Sequence, residues 1–139
     1  ENNGSTVGGP TPWPLIISTG AIAKKFHFHP TYPVFSLALA GQTLYVGGAG
    51  NGGHVTAVNF KTSHARWDVL TDGDVRAITL RKGVVYVGGH YDNYCGMRGG
   101  QHTCTTAIQR HKLLAVDEAT GTLQSWNPSA NSAYMTIEL

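Results

Sequence analysis

Residues 34–48 read VFSLALAGQTLYVGG, and residues 75–89 read VRAITLRKGVVYVGG. The two stretches align without a gap at an offset of 41 positions. Val34/Val75, Leu39/Leu80, Tyr45/Tyr86, Val46/Val87, Gly47/Gly88 and Gly48/Gly89 are identical, and Leu37/Ile78 and Leu44/Val85 are conservative exchanges. The segments downstream of the two stretches repeat as well: residues 55–67 read VTAVNFKTSHARW and residues 113–126 read LLAVDEATGTLQSW. Ala57-Val58 answers Ala115-Val116, and Trp67 answers Trp126 with one residue of slack in the turn, KTSH against EATG. Turns are where a change of length costs least.

Each unit has four parts. Val34–Ala40 alternates as a strand does, Thr43–Gly47 is almost wholly apolar, Val55–Phe60 is a third segment, and Ala65–Val69 carries the tryptophan. Gly, Asn and Asp turns separate them. Four short antiparallel strands in a repeat of roughly 40–50 residues are the sequence signature of a β-propeller blade. The expected fold is therefore all-β: a β-propeller segment of about two four-stranded blades with strands of adjacent blades on either side. The expected layout is a linker or extended arm over 1–14, outer strands of a preceding blade over 15–32, repeat one over 33–72, repeat two over 73–131, and the first strand of the next blade over 132–139. Thr19-Gly20-Ala21-Ile22 echoes Thr120-Gly121-Thr122-Leu123, which puts Phe26 or Phe28 in the place of the repeat tryptophan. Ile137 and Leu139 fall on Ile78 and Leu80.

The residue types fit that reading. Innermost propeller strands are covered on both faces, so LYV and VYV are apolar throughout. The Gly-Gly after them permits an exit where a side chain would clash or the backbone would need a positive φ. Trp67 and Trp126 share one repeat position, which favours packing between blades over stacking on a sugar ring. A blade cannot bury its faces alone, and propellers run to four to eight blades. Val34, Leu37, Ile137 and Leu139 are therefore expected to contact protein outside the segment, with the remaining blades supplied by the same or another chain.

Composition agrees. Of 139 residues 41% are hydrophobic, only 13% are charged, and 18 are glycine, the balance of a turn-rich β protein rather than of a disordered one. Net charge is +2, and Lys24-Lys25 and Arg81-Lys82 are the nearest things to a basic block. A nucleic-acid surface needs a clustered basic stripe, so no nucleic acid is expected as partner. No apolar run reaches the length of a membrane span, and residues 1–12 lack the pattern of a signal peptide. Cys95 and Cys104 lie nine positions apart in a Gly-rich stretch, as an extracellular disulfide would; free thiols or half of a zinc site are the rivals.

Tyr86–Gly89 (YVGG) and Ala115–Pro128 (A-V-D-x-A-T-G-x-L-x-x-W-x-P) together resemble the repeats of secreted bacterial β-propellers of the actinobacterial type. The resemblance covers about residues 19–139. It implies fold and export, and it implies no reaction. Repeat one departs from it, with Asn59-Phe60-Lys61-Thr62-Ser63 in place of the Asp-x-Ala-Thr-Gly turn.

Repeat two is longer than repeat one by an insertion, residues 90–112, which holds both cysteines. Strand alternation brings this insertion out at the same end as the loops between repeats: Pro30–Tyr32, Asp72–Asp74 and Asn127–Asn131. His90, Tyr91, Asp92, Asn93, Tyr94, Arg98 and His102 are the candidate ligand-binding residues, because Tyr and Arg anchor interfaces and Asn and Asp suit sugar hydroxyls. A disulfide-tied decoration without a ligand is the plainer alternative.

Catalytic signatures are weak. His27 and His29 alternate on one strand face, as do His90 and Asp92, but three converging ligands are what a catalytic zinc needs. Asp72-Gly73-Asp74 falls short of a calcium loop. There is no G-x-S-x-G elbow, and no particular pair of the eight acidic residues stands out for glycoside hydrolysis. Gly47–Gly53 lacks the lysine of a phosphate loop. No metal, cofactor or catalytic residue is expected. The expectation is a secreted, non-enzymatic binding or scaffold module that recognises a glycan or protein through loops on one face. The alternatives are part of a propeller oxidase or glycosidase with its catalytic residues elsewhere in the ring, and a structural subunit of a multi-chain assembly.

Overall fold

The computed structural model describes residues 15–16, 21–22, 25–97, 104 and 107–132. Its described residues are all strand, turn and loop. A small hairpin pairs β1 (Leu15–Ile16) with β2 (Ala21–Ile22). Next come β3 (Val34–Ala40), β4 (Thr43–Gly48), β5 (Gly53–Asn59) and β6 (Ala65–Thr71), then β7 (Val75–Arg81) and β8 (Val84–Gly89). The insertion supplies β9 (Asn93–Met97) and β10 (Ile108–Gln109), and β11 (Leu113–Asp117) comes last. Two larger antiparallel sheets result: six strands in the order β10-β9-β6-β5-β4-β3, and three in the order β11-β8-β7. The described residues close no barrel or ring of sheets.

The sequence repeat is a structural repeat. Leu37 faces Val46 and Leu39 faces Leu44 across β3–β4, as Ile78 faces Val87 and Leu80 faces Val85 across β7–β8. Even the bulge recurs, between Val34 and Ser36 in one unit and between Val75 and Ala77 in the other. Of the apolar second strands, β4 is buried at every residue, and β8 at all but the half-buried Val84 and Tyr86. The glycines that end them are required by close approach. A Cβ on Gly48 would overlap the carbonyl oxygen of Pro33, and one on Gly89 that of Asp74. The same two carbonyls accept hydrogen bonds from Ala49 N (3.0 Å) and His90 N (2.8 Å), so the backbone at these points is pinned.

Strand alternation sends Tyr45, Val55, Ala57, Trp67 and Val69 to one face of the six-stranded sheet, where they pack with Val75, Val85, Val87, Leu114 and Val116 of the three-stranded sheet. Fully burying an aliphatic or aromatic side chain is worth about 1.5–3 kcal/mol, so this face-to-face contact is the main source of stability. The opposite face of the six-stranded sheet presents Leu44, Val46 and Val58, which pack with Phe26 and Tyr32.

Two features depart from a simple pair of four-stranded units. In the second unit the fourth strand is reduced to one bridge, Val116 to Leu123. Its first-unit counterpart runs on as Trp67-Asp68-Val69, whereas here Trp126 is followed by Asn127-Pro128, and proline has no N–H to donate. The insertion, in turn, does not remain with its own unit. Strand β9 pairs with β6, Val69 opposite Met97 and Thr71 opposite Tyr94, and so extends the sheet of the preceding unit. An outer strand is an unpaired edge unless something covers it, and the insertion covers this one.

Candidate recognition surface

Loops gather where β4, β6 and β8 end. Asp72 organises them. Its Oδ1 accepts hydrogen bonds from the amides of Asp92 (2.8 Å) and Asn93 (2.9 Å), and its Oδ2 accepts one from Asn93 Nδ2 (2.7 Å). Asp72 N donates back to Asn93 O at 3.2 Å. Burial alone would raise the carboxyl's pKa, but the hydrogen bonds from the Asn93 side chain and from the amides of Asn93 and Asp92 outweigh it and hold it below the ordinary range. The inter-repeat loop thereby fixes the start of the insertion, and the Cys95–Cys104 disulfide ties the insertion's two arms together.

The sequence-predicted residues fall into separate roles. Tyr91 is 1% exposed, and its hydroxyl donates to Val87 O at 2.7 Å; burial pushes its pKa far up. Tyr94 is also buried, with its pKa raised for the same reason. Both tyrosines pack in the core between the sheets. Asn93 is committed to Asp72. Asp92 is exposed and accepts from Lys112 Nζ (2.7 Å) while pairing with His111 Nδ1 (3.0 Å); these two contacts, Lys112 first, keep its carboxyl ionised to lower pH than usual. His90 is exposed. Arg98 and His102 lie outside the described residues. Both Cys95 and Cys104 are in the disulfide, and among the described residues no free cysteine and no cluster able to hold a metal is found.

Beside the disulfide lies a cleft of about 190 Å³ lined by Asn51, Gly52, Leu70, Thr71, Asp72, Cys95 and Cys104. Asn51 is not among the candidates from sequence, where Gly47–Gly53 is weighed only as a phosphate loop without its lysine. A second polar cluster also escaped the sequence reading. Thr56 donates to Asp68 Oδ1 (2.8 Å), Asp68 Oδ2 lies 3.3 Å from His54 Nδ1, Tyr32 stacks on His54 at 4.2 Å, and the Tyr32 hydroxyl meets Thr56 Oγ1. The available signal was a Thr within Val55–Phe60 and an Asp directly after the repeat tryptophan Trp67. A cleft of about 230 Å³ lies against this cluster, lined in part by Phe28, His29, Thr31 and Tyr32.

The repeat turns carry the remaining contacts. Asp117 Oδ1 accepts from Ala119 N (3.0 Å) and Thr120 N (2.9 Å), and Asn59 Oδ1 accepts from Lys61 N (2.9 Å) and Thr62 N (3.0 Å). Gly121 N returns to Asp117 O at 2.9 Å, as Ser63 N does to Asn59 O at 2.8 Å. Gly121 and Ser63 both have positive φ, 74° and 61°. NFKTS and DEATG therefore build the same Asx-type turn. Each turn covers an aromatic residue of the unit before it. Trp67 is 4% exposed and donates from Nε1 to Glu118 O at 3.1 Å, with its ring under Gly121. Phe26, 41 positions earlier, is also 4% exposed; it stacks on Phe60 at 5.3 Å, and His27 N donates to Ser63 Oγ at 2.9 Å.

No protein-family model and no curated protein sequence matches the chain. Among solved structures it is similar to the computationally designed Ika8 protein, at 14% identity and a TM-score of 0.52, over 90% of this chain and 45% of that one. It spans less than half of Ika8's length, and identity this low speaks to fold alone. The computationally designed Ika4 protein is similar at 14% identity and a TM-score of 0.43, over 78% of this chain and 80% of that one.

Proposed function

We propose that this chain is a β-propeller segment and serves as a non-enzymatic, extracellular recognition or scaffold module, contacting a glycan or protein at the loop end formed by residues 49–52, 72–74, 90–92 and 110–112. The observation that carries this reading is the anchoring of the insertion. A carboxylate on one side and a disulfide on the other hold the insertion rigidly beside the cleft at Asn51 and Asp72. Rigid elements that present polar side chains suit recognition of hydroxyl-rich ligands, because little ordering entropy is lost on binding. Exposed groups at this end are Asn51, Asp72, His90 and Asp92. The recurrence of register, bulge and Asx-type turn supports the propeller reading, and the disulfide supports the extracellular one.

A glycan array probed with the intact chain tests this, followed by titration of any hit against Asn51→Ala and His90→Ala. Both side chains are exposed, so the variants keep the fold. A loss of at least tenfold in affinity in either variant is expected. A bound ligand that neither substitution weakens, or no ligand on glycan or protein arrays, would contradict the proposal. Tyr91→Ala is unsuited as a probe, because it opens the core.

A further inference from the structure

The polar cluster around Asp68 is not something the repeat demands. Thr56 lies opposite Val46 across β4–β5, and Leu114 lies opposite Val87 across β8–β11. Val46 and Val87 are a repeat pair, so Thr56 and Leu114 are equivalent positions. Leu114 is fully buried, which shows that the fold accepts an apolar side chain there. The same alignment sets Gly73, Lys112 and Asn127 against Tyr32, His54 and Asp68. Of the two units, only the first places a Thr and a His, each 3% exposed, beside an aspartate that is 12% exposed, on a sheet face whose neighbours Leu44, Val46 and Val58 are apolar. Taking a carboxylate out of water is costly even when its oxygens are engaged. A polar group that the local pattern does not need is a candidate for function.

The cluster fixes the carboxylate. Thr56 donates to Asp68 Oδ1 at 2.8 Å, and His54 Nδ1 lies 3.3 Å from Oδ2. The Tyr32 ring, stacked on the imidazole with 4° between the planes, holds His54 in place. Asp68, Thr56 and Tyr32 also line the cleft of about 230 Å³, together with Phe28, Pro30 and Ala65. Asp68 is the one acidic residue in that lining, which includes no lysine or arginine. Drug-sized sites run to about 300–1,000 Å³, so this one suits a single side chain or a small molecule. Its walls combine an anion with aromatic and apolar groups. Aromatic rings attract cations, and a methylene stem buries well against apolar surface while its charged end stays with a polar partner. Both carboxylate oxygens already have a contact from inside the protein, which suits the point charge of an ammonium better than the planar fork of a guanidinium.

We propose that this cleft binds a primary ammonium group on a short methylene chain, the ammonium donating to the Asp68 carboxylate and the chain lying against Phe28 and Pro30. A lysine side chain and a free alkylamine share this chemistry. The site is distinct from the loop end around Asp72, whose carboxylate is engaged by Asp92 and Asn93 instead.

Backbone NMR of the intact 139-residue chain at neutral pH tests the proposal, with n-butylammonium chloride and the peptide acetyl-Gly-Lys-Gly-amide as probes. Both should shift the amides of Thr56 and Asp68 saturably at millimolar concentration. Acetylating the lysine should abolish the peptide's effect. Asp68→Asn should weaken both probes by about tenfold or more, the usual effect of removing a charged hydrogen-bond partner, and Phe28→Ala by about threefold. Tighter binding of the peptide assigns the site to a lysine of a protein partner, and equal or tighter binding of the amine assigns it to a free alkylamine. No saturable shift at Thr56 and Asp68, equal shifts with the acetylated peptide, or undiminished affinity in Asp68→Asn would each overturn the proposal. Asn is nearly isosteric with Asp and keeps an acceptor for Thr56, so the variant should fold, as circular dichroism verifies. If it does not fold, the acetylated peptide decides the matter on the wild-type chain.

Discussion

Trp67 lies beneath Gly121, 54 positions further along the chain, with the indole Nε1 3.1 Å from Glu118 O and no room for a Cβ between ring and backbone. One unit's aromatic is thus sealed by the next unit's turn. A Cβ at Gly121 would come to 2.8 Å from Trp67 Cδ2, and φ there is +74°. At Gly83 φ is +78°, but a Cβ would meet nothing within 4 Å. Gly83→Ala should therefore cost only the left-handed strain, about 1–2 kcal/mol. Gly121→Ala should add about 1–3 kcal/mol of overpacking. Urea unfolding of the two variants measures the difference, and equal losses would show that Trp67 does not press on this turn.

The disulfide should act locally. Its closed loop is short, and in the chain-entropy picture it is worth about 2–3 kcal/mol. Because, among the described residues, β9 and β10 pair only with each other and with the outer edge of β6, Cys95→Ala with Cys104→Ala should speed amide exchange in β9 and β10 and leave β4 and β5 protected. Hydrogen exchange read by mass spectrometry checks this. Uniform acceleration throughout the chain would mean that the insertion is part of the main cooperative unit.

Acid should loosen the same region through Asp72. Its folded-state pKa lies below the ordinary 3.8, so the native state binds fewer protons than the unfolded state around that pH. The stabilisation is present above the unfolded value and is lost as pH falls through the folded value. Wild type should thus lose melting temperature between about pH 4 and pH 2 more steeply than Asp72→Asn, which has no such charge. Thermal melts across that window read the slopes. Identical slopes would place the acid sensitivity elsewhere, Asp92 and Asp117 being the other carboxyls held low.

Much of the fold was legible because two copies of each local pattern constrain one another. Val34–Ala40 was delimited to the residue by alternation, and β4 and β8 by their apolar runs ending in Gly-Gly. The Asn59–Ser63 turn, which departs from the repeat motif, keeps the geometry because Asn supplies the same side-chain oxygen as Asp117, and Ser63 accepts a positive φ. The insertion was harder to read. Its cysteines gave the disulfide, but nothing local says that β9 will pair with β6, since strand partners are chosen by which edge is open. Tyr91 and Tyr94 looked like ligand contacts for the same reason: a Tyr-rich loop and a Tyr-filled core have one composition, and only the path of the chain separates them. The His54–Asp68 cluster depends on cross-strand and stacking neighbours that no single segment contains.

The central claim is that successive units stack so that each turn seals the aromatic before it, and a double-mutant cycle between Trp67 and Gly121 tests it most directly. The first such pairing in the chain sets Phe26 against a turn with Ser63 at the glycine place, so Trp67→Phe should make room for Gly121→Ser. Gly121→Ser alone should be strongly destabilising, and the double variant should recover at least about 1 kcal/mol relative to the sum of the single losses, as residues in direct contact do. Strictly additive losses would contradict the claim, because they would mean that the turn of one unit does not rest on the tryptophan of the other.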